Sequence, residues 1–410
     1  MPLQELPCLS SQCPTLAQTK RGLKRKPKDP VSEGLDAECT PVELIQQWSP
    51  LCKHPRPIVR GKENESSQFV LGRRSRKKIA STSGLSWDQL PDELLLRIFF
   101  CFPLHDLLRM SRVCKRWHRL AFDESLWHSV DLAGSTHGGV VLQQVLKTRV
   151  RRLRCPRAFV EESHFPGTSP LQIIQMDLSN SVIPTSALES IISRCRSLEH
   201  LSLEGLQLSD GVMGSLAMNP NLQQLNLCGC SGFSAPALAD MLRRCCSIEQ
   251  LNISWCEFSR DHMGSLINNL TSCVTHLNLS GYRENLTLAD VKVVVERCPR
   301  IQTLDLSDST LLMADSFPVL AQLQSLQHLS LSRCYHIHLA ALTDVAKLLP
   351  SLRLLDVFGL VNDTHLSSLK KEMPRLGINS RPFSCTARPT PGTGGDHAMW
   401  NSTCRLRLSC

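Results

Sequence analysis

Between Ile173 and Gly359, apolar and polar residues alternate in a short phrase that returns eight times. It reads QMDLSN around Met176, HLSLEG around Leu201, QLNLCG around Leu225, QLNISW around Leu251, HLNLSG around Leu277, TLDLSD around Leu304, HLSLSR around Leu329 and LLDVFG around Leu355. Its first apolar residue steps by 25, 24, 26, 26, 27, 25 and 26. Another apolar residue stands three places earlier each time: Ile173, Leu198, Leu222, Ile248, Val274, Ile301, Leu326 and Leu352. Alternation inside the phrase predicts a short strand with one buried face. Between the phrases, apolar residues at helical spacing, such as Leu188, Ile191 and Ile192 or Val291, Val294 and Val295, predict a helical return that covers that face.

One such unit cannot bury its apolar side alone, whereas stacked units share a continuous core. An LxxLxL pattern with a period in the twenties is the leucine-rich repeat. The expected class is therefore α/β, a horseshoe with a parallel sheet on its concave face. The concave positions are polar and expected to face solvent: Asn226, Asn252, His276, Asn278, Thr303, Asp305, His328 and Ser330. Four residues after the first strand residue the array prefers glycine (Gly205, Gly229, Gly281, Gly359), as expected where the chain turns tightly out of a strand. Trp255, Asp308 and Arg333 replace it in three units, and Arg283 lies two places beyond that register in the unit between. Each alone reads as rim trim. An aromatic and two opposite charges in one column read as the rim of a protein-binding surface.

Upstream, LSWDQLPDELLLRIFFCF places Pro91 at a helix start with Asp92 and Glu93 in the first turn, and Leu94, Leu95, Ile98, Phe99 and Phe102 on one stripe. Pro103 ends that helix, LHDLLRM forms a second, and a third carries Val113, Trp117, Leu120 and Ala121 along one side. Three short helices bury little apolar surface on their own. Either a partner completes their stripe or the first repeat does.

The 410 residues carry a formal charge of +9, and residues 1–83 supply +7 of it, from fifteen Lys and Arg against eight Asp and Glu. That region has scattered prolines and no sustained period, and is expected to be disordered. Its clusters KRGLKRKPK (Lys20 to Lys28) and RRSRKK (Arg73 to Lys78) read as nuclear import addresses or solvated charge. Nucleic-acid binding is disfavoured, because no folded basic face or interleaved aromatics accompany them. Ser75, Ser81, Thr82 and Ser83 are candidate phosphorylation sites. The absence of a long apolar run and of a secretory start leads to the expectation of a soluble, intracellular chain with no membrane partner. None of the nineteen cysteines forms a CxxC pair. Cys230, Cys256 and Cys334 share one repeat slot, and Cys195, Cys245 and Cys298 another, so reduced core thiols are expected rather than a metal site.

The order LPDELLLRIF, VCKRWHRLA and LW, followed by leucine-rich repeats, resembles the F-box substrate receptors of SCF-type cullin-RING ubiquitin ligases. The phrases GLSWDQLPDELLL, VCKRWHRLAFDESLW, MDLSNSVI, LSLEGLQLSD, LNLCGCSGFS, LNLSGYRENL, LDLSDS and LSLSRCY carry the likeness from Gly84 to Leu406, with ARPT and CRL in the tail. The resemblance implies that Trp87, Leu90, Pro91, Leu94, Leu104 and Trp117 help grip the S-phase kinase-associated adaptor protein, and through it the cullin scaffold and RING subunit. It further implies that later repeats and the tail hold a regulatory subunit of cyclin-dependent kinases, through Trp255, Arg283, Asp308, Arg333 and Phe383. Together these would present a site for a phosphorylated cyclin-dependent kinase inhibitor. Cyclin A is a further candidate partner, through an RxL pair at Arg21 and Leu23.

On this reading residues 1–83 are a basic, disordered region and 84–129 the F-box. Residues 130–376 are the repeats, and 377–410 a tail that folds back across the concave face. The tail ends in CRLRL, an alternating stretch suited to a strand edge or to that face. No GxxxxGK[ST], GxSxG or HExxH occurs, so a non-catalytic receptor without cofactor is expected, in nucleus and cytoplasm. The rival is a leucine-rich scaffold or inhibitor in which residues 85–127 merely cap the array.

Overall fold

Burial of one residue per phrase sets the strands. The computed structural model describes residues 87–135, 138–160, 165, 167–390 and 398–408. In it, Met176, Leu201, Leu225, Leu251, Leu277, Leu304, Leu329 and Leu355 are completely buried. Each is the middle residue of a three-residue strand: β3 Gln175–Asp177, β4 His200–Ser202, β5 Gln224–Asn226, β6 Gln250–Asn252, β7 His276–Asn278, β8 Thr303–Asp305, β9 His328–Ser330 and β10 Leu354–Asp356. Two further units precede these, with β1 Ser129–Asp131 and β2 Arg152–Arg154, and β11 Gly377–Ile378 follows them. All run parallel, each beside its neighbour in sequence, with middle residues paired (Leu225 with Leu251, Leu251 with Leu277). The expectations on residues 1–83, including the basic clusters, the phosphorylation sites and the RxL pair, lie outside the described residues.

The returns start where a side chain can cap them. Ser209, Ser234, Ser259, Thr287 and Asn362 accept the backbone N–H of Val212, Ala237, His262, Asp290 and His365. Their apolar faces complete the core: Leu188, Ile191, Ile192, Val291 and Val294 are at most 1% exposed. The six repeat-slot cysteines are buried and free. Their slot has a chemical reason, since the thiols of Cys230, Cys256 and Cys334 reach the carbonyls of Leu203, Leu227 and Leu306 in the preceding unit at 3.1, 3.1 and 3.3 Å.

Among the expected solvent-facing positions, Asn226, Asn252, Asn278, Asp305, His328 and Ser330 are in fact buried. The third side chain of a strand folds back to satisfy its own turn. Asn226 accepts from the Cys228 N–H at 3.1 Å, Asn278 from Ser280 at 3.0 Å and Asp305 from Ser307 at 3.0 Å. His328 instead meets Asp356 at 2.6 Å. His276 and Thr303, at first strand positions, are half-buried.

The three helices upstream are α1 Asp92–Phe100, α2 Leu104–Met110 and α3 Lys115–Ala121. Leu95, Phe99, Leu107, Leu108 and Leu120 form their shared core. Arg116 of α3 donates to Asp92 at 2.8 Å and to the carbonyls of Asp88 and Leu90, pinning α3 against the start of α1. Val113 departs from the expected stripe. It lies in the turn before α3 and is 58% exposed, because α3 begins only after Cys114, whose Sγ accepts the Trp117 N–H. No linker separates the helices from the repeats: Trp127, 1% exposed and bonded to the Ala121 carbonyl at 2.9 Å, stands three residues before the middle of β1.

Candidate protein-binding sites

The glycine column proves to be a backbone requirement. In ten successive units the residue four places after the middle strand position has positive φ: Gly134, Arg157, Asn180, Gly205, Gly229, Trp255, Gly281, Asp308, Arg333 and Gly359. In this conformation its N–H reaches sideways to the next unit, as from Gly205 to Cys228 (2.8 Å), Trp255 to Ser280 (3.0 Å) and Asp308 to Ser332 (2.8 Å). The left-handed turn thus extends the parallel ladder beyond the strand. A residue with a Cβ bears about 1–2 kcal/mol of strain there. Trp255 (φ 57°), Asp308 (φ 63°) and Arg333 (φ 59°) accept that cost in place of glycine.

Those three side chains converge. Trp255, Arg283, Asp308 and Arg333 line one cleft of ≈ 590 Å³, together with Glu284, Thr310 and Tyr335. The indole of Trp255 is 46% exposed and lies over Gly281, where a Cβ would stand 2.5 Å from its ring. Asp308 is not a free rim charge: it is 6% exposed and takes both ends of the Arg333 guanidinium, at 2.8 and 2.6 Å. Those bonds hold the guanidinium above its ordinary basicity and fix its plane towards the cleft. Asp308 therefore positions Arg333. Phe383, 71% exposed, lines a smaller adjoining space with Trp255, Arg333, Asp356 and Arg381.

Phe383 arrives there on a tail that runs back along the open side of the sheet. Arg381 N–H donates to Asp356 on β10 (3.3 Å), Ala387 N–H to Gln250 on β6 (3.3 Å), and Arg388 pairs with Glu204 beside β4 (3.4 Å). Trp400 packs on His200, ring centroids 5.3 Å apart, and Arg152 donates to the Ser402 carbonyl at 3.1 Å. Burial under this cover disfavours the protonated form of His200, and burial does the same at His276. A short hairpin, β12 Ala398–Met399 with β13 Ser402–Thr403, leads into β14 Leu406–Arg407, which pairs in parallel with β1. Arg405 then inserts its guanidinium into the helical unit. It donates to the carbonyls of Phe99 (2.9 Å), Phe100 (2.8 Å) and Leu126 (2.6 Å) and lies 4.4 Å from the Phe100 ring.

The helical unit leaves a second apolar surface open. Trp87 is 55% exposed, Leu94 45% and Phe100 57%. Pro91 is exposed, and Leu90 and Trp117 are half-buried, with the Trp87 and Trp117 rings edge to face at 5.9 Å. The first repeat does not cover these residues. Leu104 is different: at 1% exposure it belongs to the core, because it opens α2 directly behind Pro103 and faces inward with Leu107 and Leu108. It shapes the surface from beneath and cannot touch a partner in this conformation.

Sequence reasoning missed Tyr335 and Glu284 in the large cleft, although both lie within two residues of the marked Arg333 and Arg283. It also missed Arg157 and Asn180 in the left-handed column. The two opening units escaped notice because Val130 and Leu153 step by only 23, and Arg154 and Cys155 follow Leu153 where the phrase expects an Asx or Ser and a leucine. Trp127 and Val150, three places earlier, were the available signal. Among the described residues no group of three or more His, Cys, Asp or Glu is placed to hold a metal, and no helix is long and apolar enough to cross a membrane.

Residues 140–407, more than half of the chain, match the family model described as the SKP2 LRR domain, and residues 87–133 match the F-box-like model. The chain belongs to the F-box/leucine-rich-repeat proteins. Human F-box/LRR-repeat protein 12 is 31% identical over 144 residues, 34% of this chain and 40% of that protein. Mouse F-box/LRR-repeat protein 21 is 24% identical over 227 residues, 48% of this chain and 49% of that one. The chain thus spans less than half of the length of these curated relatives. A solved structure, the leucine-rich repeat-containing protein LegL7 from Legionella pneumophila, is similar with a TM-score of 0.37 at 19% identity, over 60% of this F-box/leucine-rich-repeat protein and 79% of that chain.

Proposed function

We propose that the protein is the substrate-recognition subunit of an SCF-type ubiquitin ligase. The observation that carries this reading is the separation of two open surfaces. Trp87, Pro91 and Leu94 stay uncovered on the helical unit, while Trp255, Arg283, Arg333 and Phe383 gather at the far end of the sheet. Members of the family typically serve as such receptors, and an F-box implies a Skp1-type adaptor with its cullin complex. The chain would then act by holding. One surface ties it to the ligase, the other holds the substrate, and the spacing raises the effective concentration of a substrate lysine at the ubiquitin carrier. Other subunits perform the transfer, and no cofactor is needed here.

Within the family we propose that the chain is the counterpart of S-phase kinase-associated protein 2. Its large cleft would seat a regulatory subunit of cyclin-dependent kinases, and the two together a phosphorylated cyclin-dependent kinase inhibitor. Supporting this is the strain accepted at Trp255, Asp308 and Arg333, which a bare scaffold has no reason to carry. Among the described residues lining the cleft, Arg283 is the one cation outside the Arg333–Asp308 pair, which favours a second protein as the phosphate reader. Cyclin A as a partner, and a distribution between nucleus and cytoplasm, are proposed from the N-terminal motifs alone.

Pull-downs from the full chain test the division of labour. Leu94→Asp should abolish capture of the adaptor and spare the kinase subunit, whereas Trp255→Ala should do the reverse, since both side chains are exposed and dispensable for folding. Loss of both partners in either variant would sink the reading of two independent surfaces.

A further inference from the structure

Arg157 occupies the same left-handed column as Arg333, and the two differ in one respect. Arg333 is matched by Asp308, the column residue of the preceding unit. The column residues on either side of Arg157 are Gly134 and Asn180, and among the described residues no carboxylate pairs with its exposed guanidinium. Arg157 takes φ 54° with its backbone N–H on the Ser179 carbonyl at 2.9 Å, but among the described residues no side-chain pairing of its guanidinium offsets the strain as Asp308 does for Arg333.

Two more guanidiniums border the same place. Arg154, its side chain 8% exposed, donates to Asp131 at 2.8 Å, yet its Nε is buried without a hydrogen-bond acceptor, 4.0 Å from Asp177. Arg388 of the tail pairs with Glu204, and its own Nε is likewise buried and unpartnered. Arg154, Arg157 and Arg388 line a cleft of ≈ 190 Å³, walled by Ser179, Asn180 and Thr390. The opposing charges are Asp131, Glu204 and Asp177, the last pushed above its usual range by burial, and none of them accepts from the Nε of Arg154 or Arg388. Unpaired guanidinium donors are costly unless an acceptor arrives.

We propose that this cleft is a second recognition site, which takes a carboxylate or phosphate on a side chain of a bound acidic peptide. Arg157 is its outer clamp, and the tail residues Arg388 and Thr390 form its far wall, so the site exists only when the tail is in place. It lies over β2–β4, whereas the Trp255 cleft lies over β6–β9, although Arg388 also borders the space beside Phe383, and it does not depend on the ligase reading.

Isothermal titration of the full chain at fixed ionic strength, with capped tripeptides Gly-X-Gly where X is phosphoserine, glutamate or serine, tests it. The phosphoserine or the glutamate peptide should bind saturably and the serine peptide should not; which of the two anions binds tells phosphate from carboxylate. Arg157→Gln should weaken that binding by about tenfold, the worth of one charge-assisted contact, and Arg333→Gln should leave it within about twofold. Arg157→Gly should lose binding equally with an unchanged or raised unfolding midpoint, since glycine relieves the turn. The proposal is overturned if neither anionic peptide binds saturably, if binding ignores Arg157→Gln, or if Arg157→Gly lowers the midpoint as a structural residue would.

Discussion

Gly281→Ala should disable the large cleft while barely touching its lining. At φ +93° an alanine bears about 1–2 kcal/mol of backbone strain, partly offset by the stiffer unfolded chain. Its Cβ would stand 2.5, 2.8 and 3.0 Å from three ring atoms of Trp255, so the indole must leave its seat. Gly229→Ala is the matched control. It sits in the same column at φ +68°, and its Cβ would meet only Gly205 backbone atoms at 3.9 Å. Both variants should lose about 1 kcal/mol of stability in urea titration, with a further contribution in Gly281→Ala limited by the ring's freedom to swing into solvent. A displaced central Trp is worth about 2 kcal/mol or more in an interface, roughly a thirtyfold change in affinity. If the proposed kinase regulatory subunit occupies this cleft, it should therefore bind Gly281→Ala about thirtyfold more weakly and Gly229→Ala nearly normally. Iodide quenching of tryptophan emission should steepen only in the former. Equal behaviour of the two variants would refute the argument that Gly281 is the seat of the indole.

Three other outcomes follow from the tail and the core. Arg405→Ala removes every bond from the tail to the Phe99, Phe100 and Leu126 carbonyls; allowing for partial exposure it should cost about 2 kcal/mol locally, read as faster amide exchange over residues 398–408. Unchanged exchange there would show that pairing of β14 with β1 alone holds the tail. His200 and His276 have folded-state pKa values below their ordinary 6.5, so their share of stability is complete above that pH and is lost as pH falls through it towards the lower folded values. Proteolysis of the tail should accordingly speed up between about pH 7.5 and 5.5 and do so less in His200→Gln, whereas a flat profile would count against burial as the cause. Among the described residues, Cys101, Cys114, Cys246 and Cys385 should react with a thiol reagent in the native protein. Cys155, Cys195, Cys245, Cys256, Cys298 and Cys334, pushed up to about 12 by burial, should react only on unfolding.

What the sequence determined by itself was whatever repeats or acts locally. The leucine spacing dictated the stacked parallel strands, since a residue repeated at one register must share one environment. The Pro91 and Pro103 punctuation dictated the helical unit, and the cysteine slots their burial. The substituted glycine column marked Trp255, Asp308 and Arg333, although only φ reveals why glycine is preferred there. Tertiary structure alone decided the long-range matters. It turned Asn226, Asn278 and Asp305 inward to satisfy their turns, placed Leu104 in the core, and made Asp308 a brace for Arg333. It also returned the tail from β10 to β1, through contacts such as Arg152 with Ser402, which are 250 residues apart. Local pattern constrains what one segment buries against its neighbours, whereas partners this distant in sequence are chosen by shape and charge that exist only once the stack has formed.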